Sequence, residues 1–194
     1  MGSLRMVRFR PARGCRAGRA RARGFTLVEM MVTVAVIAIV GAIAVPAFSN
    51  MIRHNRVVSS SNEMIAALQL ARSEALARRS TTALCASNDG NTCSGSVGSR
   101  WIVLSTKSGV PTVLRSITVH PGLRLVPSAN LAGSARIGFS SSGFVQVGAA
   151  TSGTISLCAA DLGGDNAVDI SAAVVRIASA RRAAGSGCSA PGDI

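Results

Sequence analysis

The sequence predicts an α+β protein in which a long N-terminal helix packs on an antiparallel β domain. Three observations support this fold class. An apolar run of helical length stands near the N-terminus, and helical spacing of apolar residues continues beyond it. Short alternating segments separated by Gly, Ser, Asn and Pro then fill the remainder of the 194 residues. One long helix followed by many short strands is typical of a helix that covers one face of an antiparallel sheet.

The formal net charge of +13 is concentrated at the N-terminus. Eight of the 21 basic residues and none of the eight acidic residues precede Gly24. The rest of the chain is therefore only moderately basic, and its composition does not require a nucleic-acid partner.

An apolar run over residues 25–48 contains Glu29 as its only ionisable side chain. At 1.5 Å per residue it forms about 36 Å of helix, enough to cross a hydrocarbon core of roughly 30 Å. The arginine-rich segment before it stays cytoplasmic by the positive-inside rule. The run is therefore predicted to be a transmembrane helix, with all that follows exported.

The alternative is a secretory signal peptide. Ala42-Ile43-Ala44 offers a small-x-small cleavage site that would release a soluble domain near Val45. Glu29 disfavours this interpretation, because a carboxylate in an apolar run is costly in lipid and usually marks a function.

The residues Gly24-Phe25-Thr26-Leu27-Val28-Glu29 resemble the processing site of type IV pilins and of type II secretion pseudopilins. The resemblance implies that a prepilin peptidase removes residues 1–24 as a leader and methylates Phe25. It also implies that Glu29, fifth in the mature chain, meets the α-amino group of a neighbouring subunit during filament assembly. The leader is long for a minor member of this family, so Met6 is an alternative start.

Pro46, at mature position 22, also matches a feature of this family, and proline loosens or kinks a helix. Residues 49–80 are predicted to continue the helix as an amphipathic segment, which would make it roughly 80 Å long. The stripe expected to face a sheet comprises Met51, Val58, Ile65, Leu68, Ala71 and Ala75.

Residues 81–194 are predicted to form a periplasmic β domain. Its tail, Gly185–Ile194, is expected to be loose apart from Cys188. The expected strands are Thr81–Ala86, Trp101–Thr106, Val113–Val119, Leu123–Val126, Ala135–Phe139, Phe144–Val147, Thr154–Ala159 and Ala173–Ala178.

The cysteines agree with export to an oxidising compartment. Cys15 lies in the leader, and the four others allow three pairings. The favoured pairs are Cys85–Cys93, which closes a turn-rich loop, and Cys158–Cys188, which pins the tail to a strand. Zinc is the alternative, but there is no CxxC, and the only two histidines, His54 and His120, lie far from the cysteines in sequence.

The stretch LCASNDGNTCSGSVGSRWIVLST resembles the GspH/FimT branch of the pseudopilin family, as does the later run IGFSSSGFVQV. This resemblance implies a pilin-like fold in a structural subunit of the inner membrane. The expected partners are the prepilin peptidase and other pilin or pseudopilin subunits.

Enzymatic motifs are weak, so neither catalysis nor a cofactor is expected. Ser140-Ser141-Ser142 does not lie in a G-x-S-x-G sequence and is interpreted as a surface turn. Asp161, Asp165 and Asp169 could suggest calcium, but they lack EF-hand spacing, and a solvated loop is favoured.

A basic group, Arg176, Arg181 and Arg182, lies next to the tail. Members of the FimT side of the family bind DNA through a C-terminal G-R-x-R motif, whereas this chain has Ala180-Arg181-Arg182-Ala183. Neither the glycine nor the second arginine matches. The sequence therefore predicts a minor pseudopilin of type II secretion, with a DNA-capturing type IV minor pilin as the alternative.

Overall fold

The computed structural model describes residues 24–174 and 176–193. The chain divides into two units, the first ending at Ile43 and the second beginning at Ala44. The leader before Gly24, including Cys15 and the alternative start at Met6, lies outside the described residues.

The helix α1 spans Leu27–Arg78. Thr26 caps its start, because the Thr26 hydroxyl accepts the Glu29 N–H at 3.2 Å. Arg79 ends it in the left-handed conformation, with φ of 49°, and the Ser80 N–H donates to the Ala75 carbonyl at 3.2 Å. This is a Schellman-type stop with arginine in place of the usual glycine.

In the described part of the chain, nine strands follow α1 and form two antiparallel sheets. The strands are β1 (Thr81–Ala86), β2 (Arg100–Lys107), β3 (Val110–Thr118), β4 (Arg124–Pro127), β5 (Arg136–Phe139), β6 (Val145–Gln146), β7 (Ser152–Cys158), β8 (Ala167–Ala173) and β9 (Arg176–Arg182). The first sheet has the order β3-β2-β1-β5-β6 and the second has the order β4-β7-β8-β9. The α+β class predicted from the sequence is confirmed.

The last predicted strand, Ala173–Ala178, has the wrong bounds, because it joins the last residue of β8 to the first three residues of β9. The chain turns at Val174, whose φ is 43°, so the predicted strand crosses the connection between β8 and β9. Valine is β-branched, so it disfavours the left-handed region and favours strands. The residue type at position 174 therefore predicts a strand rather than the observed turn. Each of the other seven predicted strands overlaps an observed strand.

The core lies between the second part of α1 and both sheets, and its members form one apolar cluster. Leu68, Ala71 and Ala75 are buried as expected, whereas Met51 is 60% exposed. The buried positions of α1 are Val57, Ser61, Met64, Ala67, Leu68, Ala71 and Ala75. Most of these side chains are small, so α1 approaches β1 closely enough for the Thr82 hydroxyl to donate to the Ala71 carbonyl at 2.6 Å.

The C-terminal tail differs from the loose segment that its composition predicts. Asn166 donates to the Gly185 carbonyl at 2.9 Å and accepts the Ala184 N–H at 2.8 Å. Further along, Asp193 accepts the Asn130 N–H at 3.1 Å. The tail is held because it supplies the partners of a buried asparagine side chain.

Candidate processing and assembly site

The predicted processing junction lies before the first helical residue. Gly24 and Phe25 are exposed, and Phe25 exposes 75% of its surface. A Cβ atom added to Gly24 would meet no atom of the described residues within 4 Å, and the Gly24 backbone lies outside the left-handed region. Within residues 24–174 and 176–193, the fold therefore does not require glycine at position 24.

Glu29 lies in the first turn of α1, where negative charge is favoured by the helix dipole. With Thr26 as the cap, Glu29 occupies the third helical position, as in a T-x-x-E capping box. Among the described residues its carboxylate has no ion-pair partner. The local structure explains an acid at this position but supplies no counter-charge.

The first part of α1 exposes apolar side chains on all sides. Such a surface is typical of a helix that lies in lipid or against other proteins. Within the described part of the chain, α1 is the one helix long and apolar enough to span a membrane. The exposed side chains include Leu27, Val28, Met31, Val32, Val34, Ile37, Ile39, Val40, Ile43 and Val45.

Pro46 lies inside α1, and the helix is assigned continuously through it. Proline has no N–H, so one bond of the helical ladder is missing at this turn. The hydroxyl of Ser49 donates to the Pro46 carbonyl at 2.8 Å. The ladder of backbone hydrogen bonds is therefore weakened at Pro46, but the helix does not end there.

Among the described residues, two disulfides join the four cysteines of the β domain in the pairing that the sequence favours. Cys85, in β1, bonds Cys93 in the loop after it, and Cys158, at the end of β7, bonds Cys188 in the tail. The Cα atoms are 5.5 Å apart in the first bridge and 5.9 Å apart in the second.

The loop closed by the first disulfide is organised around Asp89. Its carboxylate accepts the backbone N–H groups of Asn91 and Thr92, each at 2.8 Å. It also accepts the hydroxyls of Thr92 at 2.8 Å and Ser87 at 3.0 Å. These bonds, the backbone N–H of Thr92 first, hold the pKa of Asp89 well below its usual range.

The three C-terminal arginines do not share one surface. Arg181 and Arg182 are adjacent in β9 and so project from opposite faces of the second sheet. Arg182 donates from Nε to Asp169 Oδ2 at 2.7 Å and from Nη2 to the Ser189 carbonyl at 2.9 Å. Arg176 and Arg181 are exposed. The proposed DNA contact by all three arginines therefore needs correction at Arg182, whose guanidinium is engaged within the chain.

The acidic cluster is dispersed rather than gathered. Asp161 pairs with Arg53 at 2.7 Å, Asp169 pairs with Arg182, and Asp165 lies in the connection between β7 and β8. Within residues 24–174 and 176–193, no group of three or more His, Cys, Asp or Glu side chains is placed to hold a metal ion.

The serine run, Ser140-Ser141-Ser142, lies in a turn. The carbonyl of Ser140 accepts the Gly143 N–H there.

Family models match most of the chain. The model described as type II transport protein GspH matches residues 60–175, and that of the prokaryotic N-terminal methylation motif matches residues 19–45. The chain belongs to the GspH family. No curated protein sequence matches it significantly.

Solved structures similar to this GspH-family chain include a minor pilin and a minor pseudopilin. The type IV minor pilin FimU of Pseudomonas aeruginosa PAO1, in two crystal forms, is 22% identical with a TM-score of 0.48. The match covers 64% of this chain and 88% or 92% of FimU. The minor pseudopilin EpsH of the Vibrio cholerae Type 2 Secretion System is 16% identical with a TM-score of 0.47, over 66% of this chain and 97% of EpsH.

Membership of the GspH family makes this chain a minor pilin or pseudopilin, a family of structural subunits. The methylation motif covers Gly24, Phe25 and Glu29. The family and the motif together imply processing by a prepilin peptidase and assembly with other pilin subunits. The exposed apolar part of α1 is consistent with membrane anchoring.

Proposed function

We propose that this chain is a minor pseudopilin of a type II secretion system. Residues 25–48 anchor it in the inner membrane, with the β domain in the periplasm, until it enters the pseudopilus. The observation that carries the proposal is the all-round apolar surface of α1 directly after an exposed processing junction. That surface has no partner among the residues that the structure describes, so lipid covers it first and neighbouring subunits cover it later.

Cleavage of the Gly24–Phe25 peptide bond creates a positively charged group that can pair with the Glu29 carboxylate. Hydrolysis leaves a carboxylate on Gly24 and a positively charged α-amino group on Phe25. A carboxylate in lipid is costly unless paired, so the Glu29 side chain of one subunit attracts the Phe25 amine of a neighbour. The peptidase is also the reason for glycine at position 24, since the fold does not require it.

The secretion system is favoured over a DNA-uptake pilus by the arrangement of the arginines. A phosphate-binding surface needs several cations facing one strand of nucleic acid. Here Arg182 is engaged with Asp169, and it projects from the face of β9 opposite to Arg181. Arg176 and Arg181 also project from opposite faces of β9, but both are exposed, and this exposure is what supports a type IV minor pilin that contacts DNA as the second candidate.

A strain from which the gene is deleted, complemented with the wild-type gene, tests the proposal. We expect the deletion to abolish secretion of folded exoproteins and the wild-type gene to restore it, with DNA uptake unaffected. Loss of DNA uptake with normal secretion would replace the proposal with the second candidate. In that case Arg176→Ala with Arg181→Ala should weaken duplex binding and flatten its salt dependence by roughly one to two units.

A further inference from the structure

A small recess lies at one end of the β domain, beside α1, and has a volume of about 170 Å³. At roughly 30 Å³ for each water-sized group, it holds a small polar headgroup rather than a large ligand. Three segments meet there: α1, the connection between β3 and β4, and the chain just after β7. The side chains that line it include Arg53, Arg56, His120, Leu123, Ala159 and Asp161.

Hydrogen-bond donors predominate among the side chains that line the recess. Arg53 donates from Nη1 to Asp161 at 2.7 Å, which engages one of the guanidinium nitrogens. Arg56 is exposed, and no ion pair to it occurs among the described residues. His120 accepts the Gly122 N–H through Nδ1 at 3.1 Å, so the proton of the neutral ring lies on Nε2. Two arginines and a histidine therefore line the recess together with a single carboxylate, that of Asp161.

The position of these cations along α1 indicates what they meet. Exposed apolar side chains continue to Ile52, and Arg53 is the first charged residue after Glu29. Arg53 and Arg56 lie about 7 Å and 12 Å beyond Phe48 along the helix. The polar interface of a bilayer occupies roughly 5 to 7 Å on each side of the hydrocarbon core, and arginine side chains reach several ångströms further. Both guanidinium groups are thus within reach of the headgroups.

The geometry points to a binding site for the phosphate of an anionic phospholipid in the outer leaflet of the inner membrane. Arg53, Arg56 and the Nε2–H of His120 donate to the phosphate oxygens. Guanidinium groups suit this chemistry because they present several donors in a planar fork. A lipid is favoured over free phosphate because the recess directly follows the apolar segment. This inference rests on the proposed membrane anchoring.

The test uses the processed protein, with its membrane helix intact, in lipid nanodiscs. The protein is then released from the nanodiscs, and the lipid that it retains is measured by native mass spectrometry. We expect phosphatidylglycerol to be retained in preference to phosphatidylcholine. Arg56→Ala should lower phosphatidylglycerol retention about fivefold, the effect of one arginine at an anionic surface. Arg56 is the residue to change because it has no ion pair whose loss would disturb the fold. The matched control is Arg176→Ala, an exposed arginine on β9 that does not line the recess.

Each of five outcomes overturns the inference. Equal retention of both lipids, or equal effects of the two substitutions, removes the lipid site while leaving the membrane anchor intact. Displacement of the lipid by millimolar inorganic phosphate identifies a free-phosphate site instead. If Arg56→Ala lowers subunit cross-linking without changing lipid retention, the recess binds a neighbouring subunit. A protein that does not enter the nanodisc at all contradicts the proposed function itself, which separates that failure from the others.

Discussion

Arg182 in β9 and Asp169 in β8 form an ion pair with 2.7 Å between Nε and Oδ2, and both side chains are largely shielded from water. The same guanidinium donates to the hydroxyl of Ser189 at 2.8 Å and to its carbonyl at 2.9 Å. One side chain therefore joins the edge strand of the second sheet to the tail. A residue that the sequence offered as a ligand contact instead stabilises the fold.

Replacing Arg182 should destabilise the protein. Arg182→Ala leaves Asp169 without its partner, and hydrogen bonds to charged groups contribute about 1.5–3 kcal/mol. We expect a loss of about 2 kcal/mol in the free energy of unfolding of the detergent-solubilised protein, measured by denaturant titration. Arg181→Ala is the matched control, because this neighbour is exposed and should change stability by less than about 0.5 kcal/mol. Equal effects of the two substitutions would contradict the structural role of Arg182.

The two disulfides should stabilise the β domain to different extents. In the chain-entropy model, closing 8 residues in the Cys85–Cys93 loop contributes about 2.5 kcal/mol, and closing 30 residues in the Cys158–Cys188 loop contributes about 3.6 kcal/mol. We expect the paired substitution of Cys158 and Cys188 by serine to lower stability more than that of Cys85 and Cys93. Non-reducing peptide mapping checks the connectivity. Free thiols or crossed pairs would refute it.

The loop around Asp89 should loosen in acid. The pKa of Asp89 is depressed in the folded protein, so its carboxylate stabilises the loop fully above the ordinary aspartate pKa of about 3.9. That contribution is lost as the pH falls toward the lower folded pKa, because protonation neutralises the carboxylate and weakens the hydrogen bonds that it accepts. Hydrogen exchange at the amides of Asn91 and Thr92, corrected for its intrinsic pH dependence, should lose protection over this range. Asp89→Asn should show the same loss at neutral pH, and unchanged protection in that variant would refute the prediction.

The sequence predicted best the elements whose signals are local. β1 was predicted with its observed bounds because a short run of threonine and apolar residues is followed directly by turn residues. The buried face of α1 was harder to place, because Ser61 lies on it. Its hydroxyl donates to the Val57 carbonyl at 2.7 Å, so a polar residue is buried without an unsatisfied group.

Features that depend on long-range pairing could not be predicted. The turn at Val174 contains no glycine, and β8 has an aspartate at its centre, so neither resembles a hairpin in sequence. The roles of Arg182 and Asn166 depend on the register of β8 and β9 and on the position of the tail. At the processing site, by contrast, the motif is local and all its residues are adjacent, so the sequence was sufficient to propose it.

Removing the charge of Glu29 should block assembly without altering the helix start. Glu29→Gln keeps the length of the side chain and suits the third position of a capping box. Breaking a desolvated ion pair costs about 3–5 kcal/mol, so incorporation into filaments should fall by about a hundredfold or more. Cross-linking of neighbouring subunits in sheared filaments measures this. Glu63→Gln is the control, because its pair with Arg115 is exposed and 3.5 Å long. Normal incorporation of the Glu29→Gln protein would contradict the assembly role.

Processing should depend on the size of the side chain at position 24, because that side chain meets the peptidase. It should not depend on contacts of that side chain within the fold. Gly24→Ala should still be cleaved, whereas Gly24→Leu should leave full-length precursor in the membrane, because the added side chain meets the peptidase and not this chain. Intact mass should show a wild-type chain that begins with N-methylated Phe25. Gly41→Leu is the matched control, since a Cβ there also meets nothing within 4 Å, and it should be processed normally. A mature chain that begins at Val45 would instead establish cleavage by a signal peptidase after Ala44.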